Sequence, residues 1–154
     1  MLNSGTEKLN LLQWNCRSIL PKIIEFEQLL YSEKIDVFCL SETWLEEDTE
    51  FKINNYKIVR NDREDGYGGV CIGIHKKFKF RKIELSTSTS YEIVAVQIHI
   101  NDSNFETLNV ISIYIPPANR FNPSELIRDV VSIKSYQRNF ELQNTTDEKL
   151  YCKL

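Results

Sequence analysis

"DVFCLSETWL", Asp36 to Leu45, decides how the fold is read. Val37 to Leu40 is an unbroken apolar run, the pattern of a strand buried on both faces, and two positions beyond it stands a carboxylate, Glu42. A charge at the mouth of a buried strand has two accounts. It can favour the positive end of a short helix beginning in "TWLEED", or it can serve chemistry at the rim of a sheet.

Working outward, "LNLLQWN" from Leu9 to Asn15 reads as a strand before it. Between the two, Ile19, Ile23, Phe26 and Leu30 recur at helical spacing. Leu20, Ile24 and Leu29 widen the stripe, Ser18 is placed to cap its start, and Pro21 falls in the tolerated first turn. Beyond it, Tyr56–Asp62 and Val70–His75 are strands joined through "REDGYGG", whose glycines suit a bend. Phe78 to Leu85 alternates basic and apolar residues. Tyr91–Ile100 sets Val94, Val96, Ile98 and Ile100 on one face, and Leu108–Ile115 does the same with Ile111, Ile113 and Ile115 before Pro116-Pro117 stops it. Asn122, Pro123 and Glu125 then spell an N-cap, a first-turn proline and a capping-box acid, ahead of a helical stripe of Leu126, Ile127, Val130, Val131 and Ile133. From Gln137 the chain loses periodicity and reads as a loose tail, so the expected division is a domain over 1–136 and a tail over 137–154. The element order predicts a mixed α/β or α+β layered domain.

Composition narrows the function. A chain of 154 residues with 42% hydrophobic and 27% charged residues suits one globular core. Its net charge of -3 argues against broad electrostatic capture of nucleic acid, so any phosphate site is local. No run reaches the length of a membrane span and the first ten residues lack the apolar block of a signal peptide, so an intracellular chain without a membrane partner is expected. Cys16, Cys39, Cys71 and Cys152 are far apart without a CxxC pair, which favours reduced thiols over zinc or a disulfide scaffold.

The polar outliers fall at strand ends. Asn15, Glu42 and Tyr114 close three strands that converge at one rim if the strands lie side by side. Magnesium takes one or two carboxylates and keeps several waters, so Glu42 with an Asn beside it is a credible seat. Asn15 both donates and accepts, the Tyr114 phenol donates to a phosphate oxygen, and Arg63, with Arg60 nearby, meets a phosphate backbone. Each also has an ordinary account: a turn residue, a half-buried strand tyrosine, a solvated hairpin charge. His75 and His99 have no carboxylate partner in sequence and are read as structural or exposed.

Taken together, "LNLLQWNCRSILPKIIEFEQLL", "IDVFCLSETWL", "YKIVRNDREDGYGGVCIGI" and "NVISIYIPP" stand in the order and approximate spacing of a known domain. The chain resembles, over about Leu9 to Pro117, the N-terminal part of the endonuclease domain of non-LTR retrotransposons, within the endonuclease/exonuclease/phosphatase superfamily that includes abasic-site endonucleases. The resemblance implies a four-layer sandwich of two β-sheets with flanking helices. It also implies nuclear hydrolysis of DNA phosphodiesters with magnesium or manganese, no small-molecule cofactor, and a reverse transcriptase in the same polyprotein of an intact element. It places the metal-binding Glu at Glu42, the Asn of "WN" at Asn15 and the phosphate-contacting Tyr at Tyr114, with in-line attack by an activated water.

Two departures matter. The family's Gly-Asp-Phe-Asn strand end and its late Ser-Asp-His have no counterpart, since no glycine follows Gly73 and no histidine follows His99. The expectation is a truncated, incomplete sandwich that is inactive alone and exposes apolar surface from strands such as Tyr91–Ile100. A non-catalytic remnant or interaction module is the competing reading. A substrate of RNA or a phosphorylated small molecule is a third, toward which the basic "HKKFKFRK" leans.

Overall fold

In the computed structural model, which describes residues 8–85, 90–101, 106–117, 122–133 and 149–153, the strands form two sheets. Strand β1 (Asn10–Asn15) leads through a 3-10 turn at Leu20–Lys22 into helix α1 (Ile23–Ser32) and back to β2 (Val37–Ser41). The crossover makes β1 and β2 parallel neighbours, with Asn15 opposite Ser41. β3 (Tyr56–Asn61) and β4 (Val70–His75) form an antiparallel pair, and β4 runs antiparallel to β2. β5 (Lys79–Ile83), β6 (Glu92–Asn101) and β7 (Glu106–Tyr114) build the second, three-stranded sheet, followed by helix α2 (Pro123–Ser132). β8 (Lys149–Lys153) pairs antiparallel with β1, completing the order β3-β4-β2-β1-β8. The expected loose tail therefore carries a strand at its end; residues 134–148, and with them the expected boundary at 136, lie outside the described residues.

Burial divides along the pleat of β2 and β4. Phe38, Leu40 and Cys71 turn toward α1, where they meet Leu12, Ile19, Phe26 and Leu30. Val37, Val70, Ile72 and Ile74 turn the other way, against Val94, Val96 and Ile98 of β6 and Leu108 and Val110 of β7. Strands β2 and β4 are thus buried on both faces, as the run Val37–Leu40 predicts.

Three expectations are corrected, and the inward face of β7 is identified. Ser18 does not cap α1: it sits at φ +72° and its backbone N–H donates to the Glu42 carbonyl, while neither the 3-10 turn nor α1 has a side-chain cap. Leu20 and Ile24, expected in the apolar stripe, are exposed: the buried line of α1 runs through Phe26 and Leu30, and Ile24, two residues before Phe26, faces the other side of the helix. In β7 the inward face carries Leu108, Val110 and Ser112, and Ile111 and Ile113 lie half-buried on the other side. Lastly, β6 does not expose its apolar residues. It is the central strand of its sheet, with Tyr91, Ile93, Val94, Ala95, Val96 and Ile98 all buried, and the Tyr91 hydroxyl donates to the buried Asp129 of α2. Exposed apolar residues are found elsewhere, among them Ile24 and Tyr31 on α1 and Ile127 and Val131 on α2. Asn122 caps α2 as expected, accepting from the Ser124 N–H at 3.0 Å.

Candidate active site

Parallel pairing carries Asn15 and Glu42 out of the sheet at the same end. Backbone hydrogen bonds hold the turn after β2: the Glu42 and Thr43 carbonyls accept from Ser18 and Ile19, and the Thr43 and Trp44 N–H groups donate to the carbonyls of Gly69 and Gly68. Within it Glu42 (φ +52°) and Trp44 (φ +53°) take left-handed conformations that cost L-residues roughly 1 kcal/mol or more each. Such strain persists only where neighbours over-determine it, and here it swings the Glu42 side chain out of the sheet alternation and onto Asn15. The Asn15 amide donates to Glu42 Oε1 at 2.9 Å, leaving Asn15 Oδ1 buried without a partner.

Tyr114 arrives from the other sheet. Ser112, two residues earlier, donates to the Leu40 carbonyl at 3.3 Å, which clamps the end of β7 over the end of β2. Tyr114 then hydrogen-bonds the Glu42 carboxylate. Burial first, and then that hydrogen bond and the Glu42 charge, hold the phenol above its ordinary value, so it remains a donor at neutral pH. The three strand-end residues are thus brought together around one carboxylate.

Arg63 lies beside them, paired with Asp65 at 2.5 Å and Glu92 at 3.6 Å. The reason it can approach is Gly68, at φ +77°: a Cβ there would fall 2.7 Å from the Arg63 stem, 3.2 Å from Glu92 and 3.3 Å from the Tyr114 ring. Arg60 does not join the site. It pairs with Asp62 and donates to the carbonyls of Glu46, Glu47 and Thr49, pinning the loop after β2. His75 lies at the opposite end of its sheet, stacked edge-on against Tyr56, and His99 is exposed opposite Lys79 in the second sheet. Neither meets Glu42.

Glu92 is the residue that sequence reasoning missed. It is buried at the start of β6, directly across from Tyr114. Burial raises its carboxyl above the usual range, against the opposing pull of Arg63. Its only sequence signal is a carboxylate next to a strongly apolar strand, which reads equally well as a solvated strand start.

The donor set suits a hard divalent cation. Glu42, Glu92 and Asp65 against the one Arg63 guanidinium leave two negative charges, which one divalent cation cancels, and Asn15 Oδ1 is an unused oxygen beside the Glu42 carboxylate. Among the described residues no group of three or more His, Cys, Asp or Glu gathers that could hold a metal ion by itself. Among them also, no helix is long and apolar enough to cross a membrane. At the rim the exposed rings of Trp44 and Tyr67 meet edge-on, 5.5 Å between centroids.

Comparison with curated proteins gives no match. Among solved structures, the chain is similar to the endonuclease domain of TRAS1, a telomere-specific non-LTR retrotransposon, with a TM-score of 0.60 at 15% identity over 82% of this chain and 54% of that one. It is similar to the catalytic domain of Xenopus laevis APE2 (TM-score 0.53, 19% identity, 80% of this chain and 50% of that one). It also resembles the 3' phosphatase NExo from Neisseria bound to product DNA hairpin (TM-score 0.52, 16% identity, 69% and 41%). The chain thus spans about half the length of the solved structures it matches. At these identities the likeness is one of fold, and it agrees with the two-sheet architecture described above. A family model covers far more of the sequence than the strand-end residues alone: it matches residues 12–149, and by that match the chain belongs to the Endonuclease/Exonuclease/phosphatase family.

Proposed function

We propose that this chain is the N-terminal part of a divalent-metal-dependent DNA endonuclease domain of the retrotransposon type, carrying the metal-seating half of the site and inactive by itself. The observation that carries the reading is the Glu42 carboxylate, reached by Asn15 from one strand end and by Tyr114 from another sheet, with Asn15 Oδ1 buried and unpaired beside it. In this reading Glu42 and Asn15 hold magnesium or manganese, which supplies Lewis acidity toward a phosphodiester oxygen. Asn15 fixes the carboxylate's orientation through its amide. Tyr114 donates its phenolic proton to a phosphate oxygen, and Arg63 offers the charge-assisted contact. The exposed Trp44–Tyr67 pair gives nucleobases an aromatic surface at the rim. An intact element would place the domain in the nucleus, with a reverse transcriptase following in the same polyprotein.

The test is thermal. Magnesium that binds only the folded chain raises its stability by about 1.4 kcal/mol at ten times the dissociation constant. A magnesium titration of the melting temperature should therefore climb for the native sequence and stay flat for Glu42→Gln. Equal response in both would remove Glu42 from the metal seat and leave the non-catalytic interaction module as the better account.

A further inference from the structure

Arg63 stands between two carboxylates in unlike surroundings. Asp65 is half exposed and lies two residues along the same hairpin, where its Oδ1 also accepts from the Tyr67 N–H at 3.0 Å. Glu92 comes from the other sheet and is nine-tenths buried, and its Oε2 has no hydrogen-bond partner. The Arg63 stem is held against Gly68, where Glu92 and the Tyr114 ring also abut. Because β6 and β7 pair antiparallel with Glu92 opposite Tyr114, both side chains stand on the same face at the same level. The buried carboxylate and the phenol therefore flank the path along which the guanidinium reaches the rim.

We propose that Glu92 is a positioning residue that anchors Arg63 from the buried side, next to Tyr114, while Asp65 holds the guanidinium on the solvent side as a stand-in for a phosphate. The inference rests on the reading of this rim as a phosphodiester site. The physical division is clear: a buried carboxylate cannot be displaced by a ligand, whereas an exposed one exchanges for a phosphate oxygen at little cost. Glu92 fixes where the positive charge sits. Asp65 satisfies that charge until a phosphate arrives.

The same change in charge at the two positions should then act in opposite directions. Binding is read by fluorescence anisotropy of a fluorescein-labelled DNA duplex in magnesium buffer. Glu92→Gln should weaken binding by roughly fivefold, although it removes a negative charge from an anion site, and Asp65→Asn should tighten it by roughly twofold. Asn at 65 keeps an oxygen for the Tyr67 N–H, so its effect is not one of misfolding. A second readout needs no ligand: the Arg63 Nε–H resonance should exchange with solvent faster in Glu92→Gln and keep its protection in Asp65→Asn. Equal signs for both variants in the binding assay, or an Nε–H exchange rate indifferent to Glu92→Gln, would overturn the assignment. A native chain that holds no DNA, with the exchange contrast intact, would overturn the phosphodiester reading and the stand-in role of Asp65, while the anchoring by Glu92 would stand.

Discussion

At the scale of single residues, part of the chain's cost lies at and near the rim. Glu42 and Trp44 keep unfavourable backbone angles, and Glu92 and Asp62 keep carboxylates out of water. Burial is the leading cause that raises both acids, with Arg63 opposing it at Glu92 and Arg60 at Asp62. The sign follows from linkage. A carboxyl raised in the fold binds its proton more tightly than in the unfolded chain, so its stabilising contribution is full below the unfolded value, about 4, and is lost as pH rises through the folded value. Glu92→Gln and Asp62→Asn mimic the protonated acid at every pH. Each variant should therefore gain on the native chain as pH climbs from about 4 toward 7. Melting curves across that range check it, and a difference that stays flat or shrinks would mean that the paired arginine outweighs burial. For Glu92 the outcome has a second side: a variant that is steadier at neutral pH yet holds DNA less well is the signature of a site residue that stability alone would not keep.

At the scale of elements, one close contact constrains the packing of β2 against β4. Gly73 lies opposite Phe38 in the ladder, and a Cβ at 73 would fall 2.0 Å from the Phe38 ring, which crosses the strand there and is itself fully buried. Gly73→Ala must push that ring into Phe26 and Tyr56, its neighbours at 5.0 and 5.3 Å between centroids. The expected loss is about 1–3 kcal/mol, seen as a lower urea midpoint at unchanged slope; a loss near zero would show that the ring swings aside freely. The sequence makes β2, β4 and β6 legible because apolar runs so long have no alternative to the interior. It makes Asn15 and Glu42 legible because parallel strands joined by a helix end on one side. Which face of β7 turns inward is not legible, because Leu108 and Val110 on one parity and Ile111 and Ile113 on the other are all apolar, leaving alternation without a vote. β8 is not legible in the sequence, because its residues show no alternation and its place comes only from pairing with β1. Glu92 was missed for a related reason: its meaning comes from Tyr114 across the ladder and Arg63 across the sheets, and neither is a neighbour in sequence.

At the scale of the whole molecule, the two sheets and the covering helix α1 close two apolar cores, and Cys16, Cys39 and Cys71 sit in or against them as free thiols. Burial pushes Cys16 and Cys39 up to about 12 and Cys71 well above its ordinary value, so none is a nucleophile at neutral pH. Hydrolysis of a phosphodiester then needs a group within hydrogen-bond reach of the attacking water, and the candidates are few. Glu42 is engaged by Asn15 and Tyr114, Glu92 stands beneath Arg63, and His75 and His99 lie away from the rim. Nothing in the 154 residues matches the two family motifs that position the nucleophile and contact the phosphate. On the proposed reading, metal seating and water activation are separable, and this chain should have the first without the second. Incubated with supercoiled plasmid and magnesium, it should leave the nicked-circle band at the level of a Glu42→Ala control, while its melting temperature still responds to the metal. Robust nicking that disappears with Glu42→Ala would show that a base is present after all, and the shielded carboxylates Glu92 and Asp62 would be the first places to seek it.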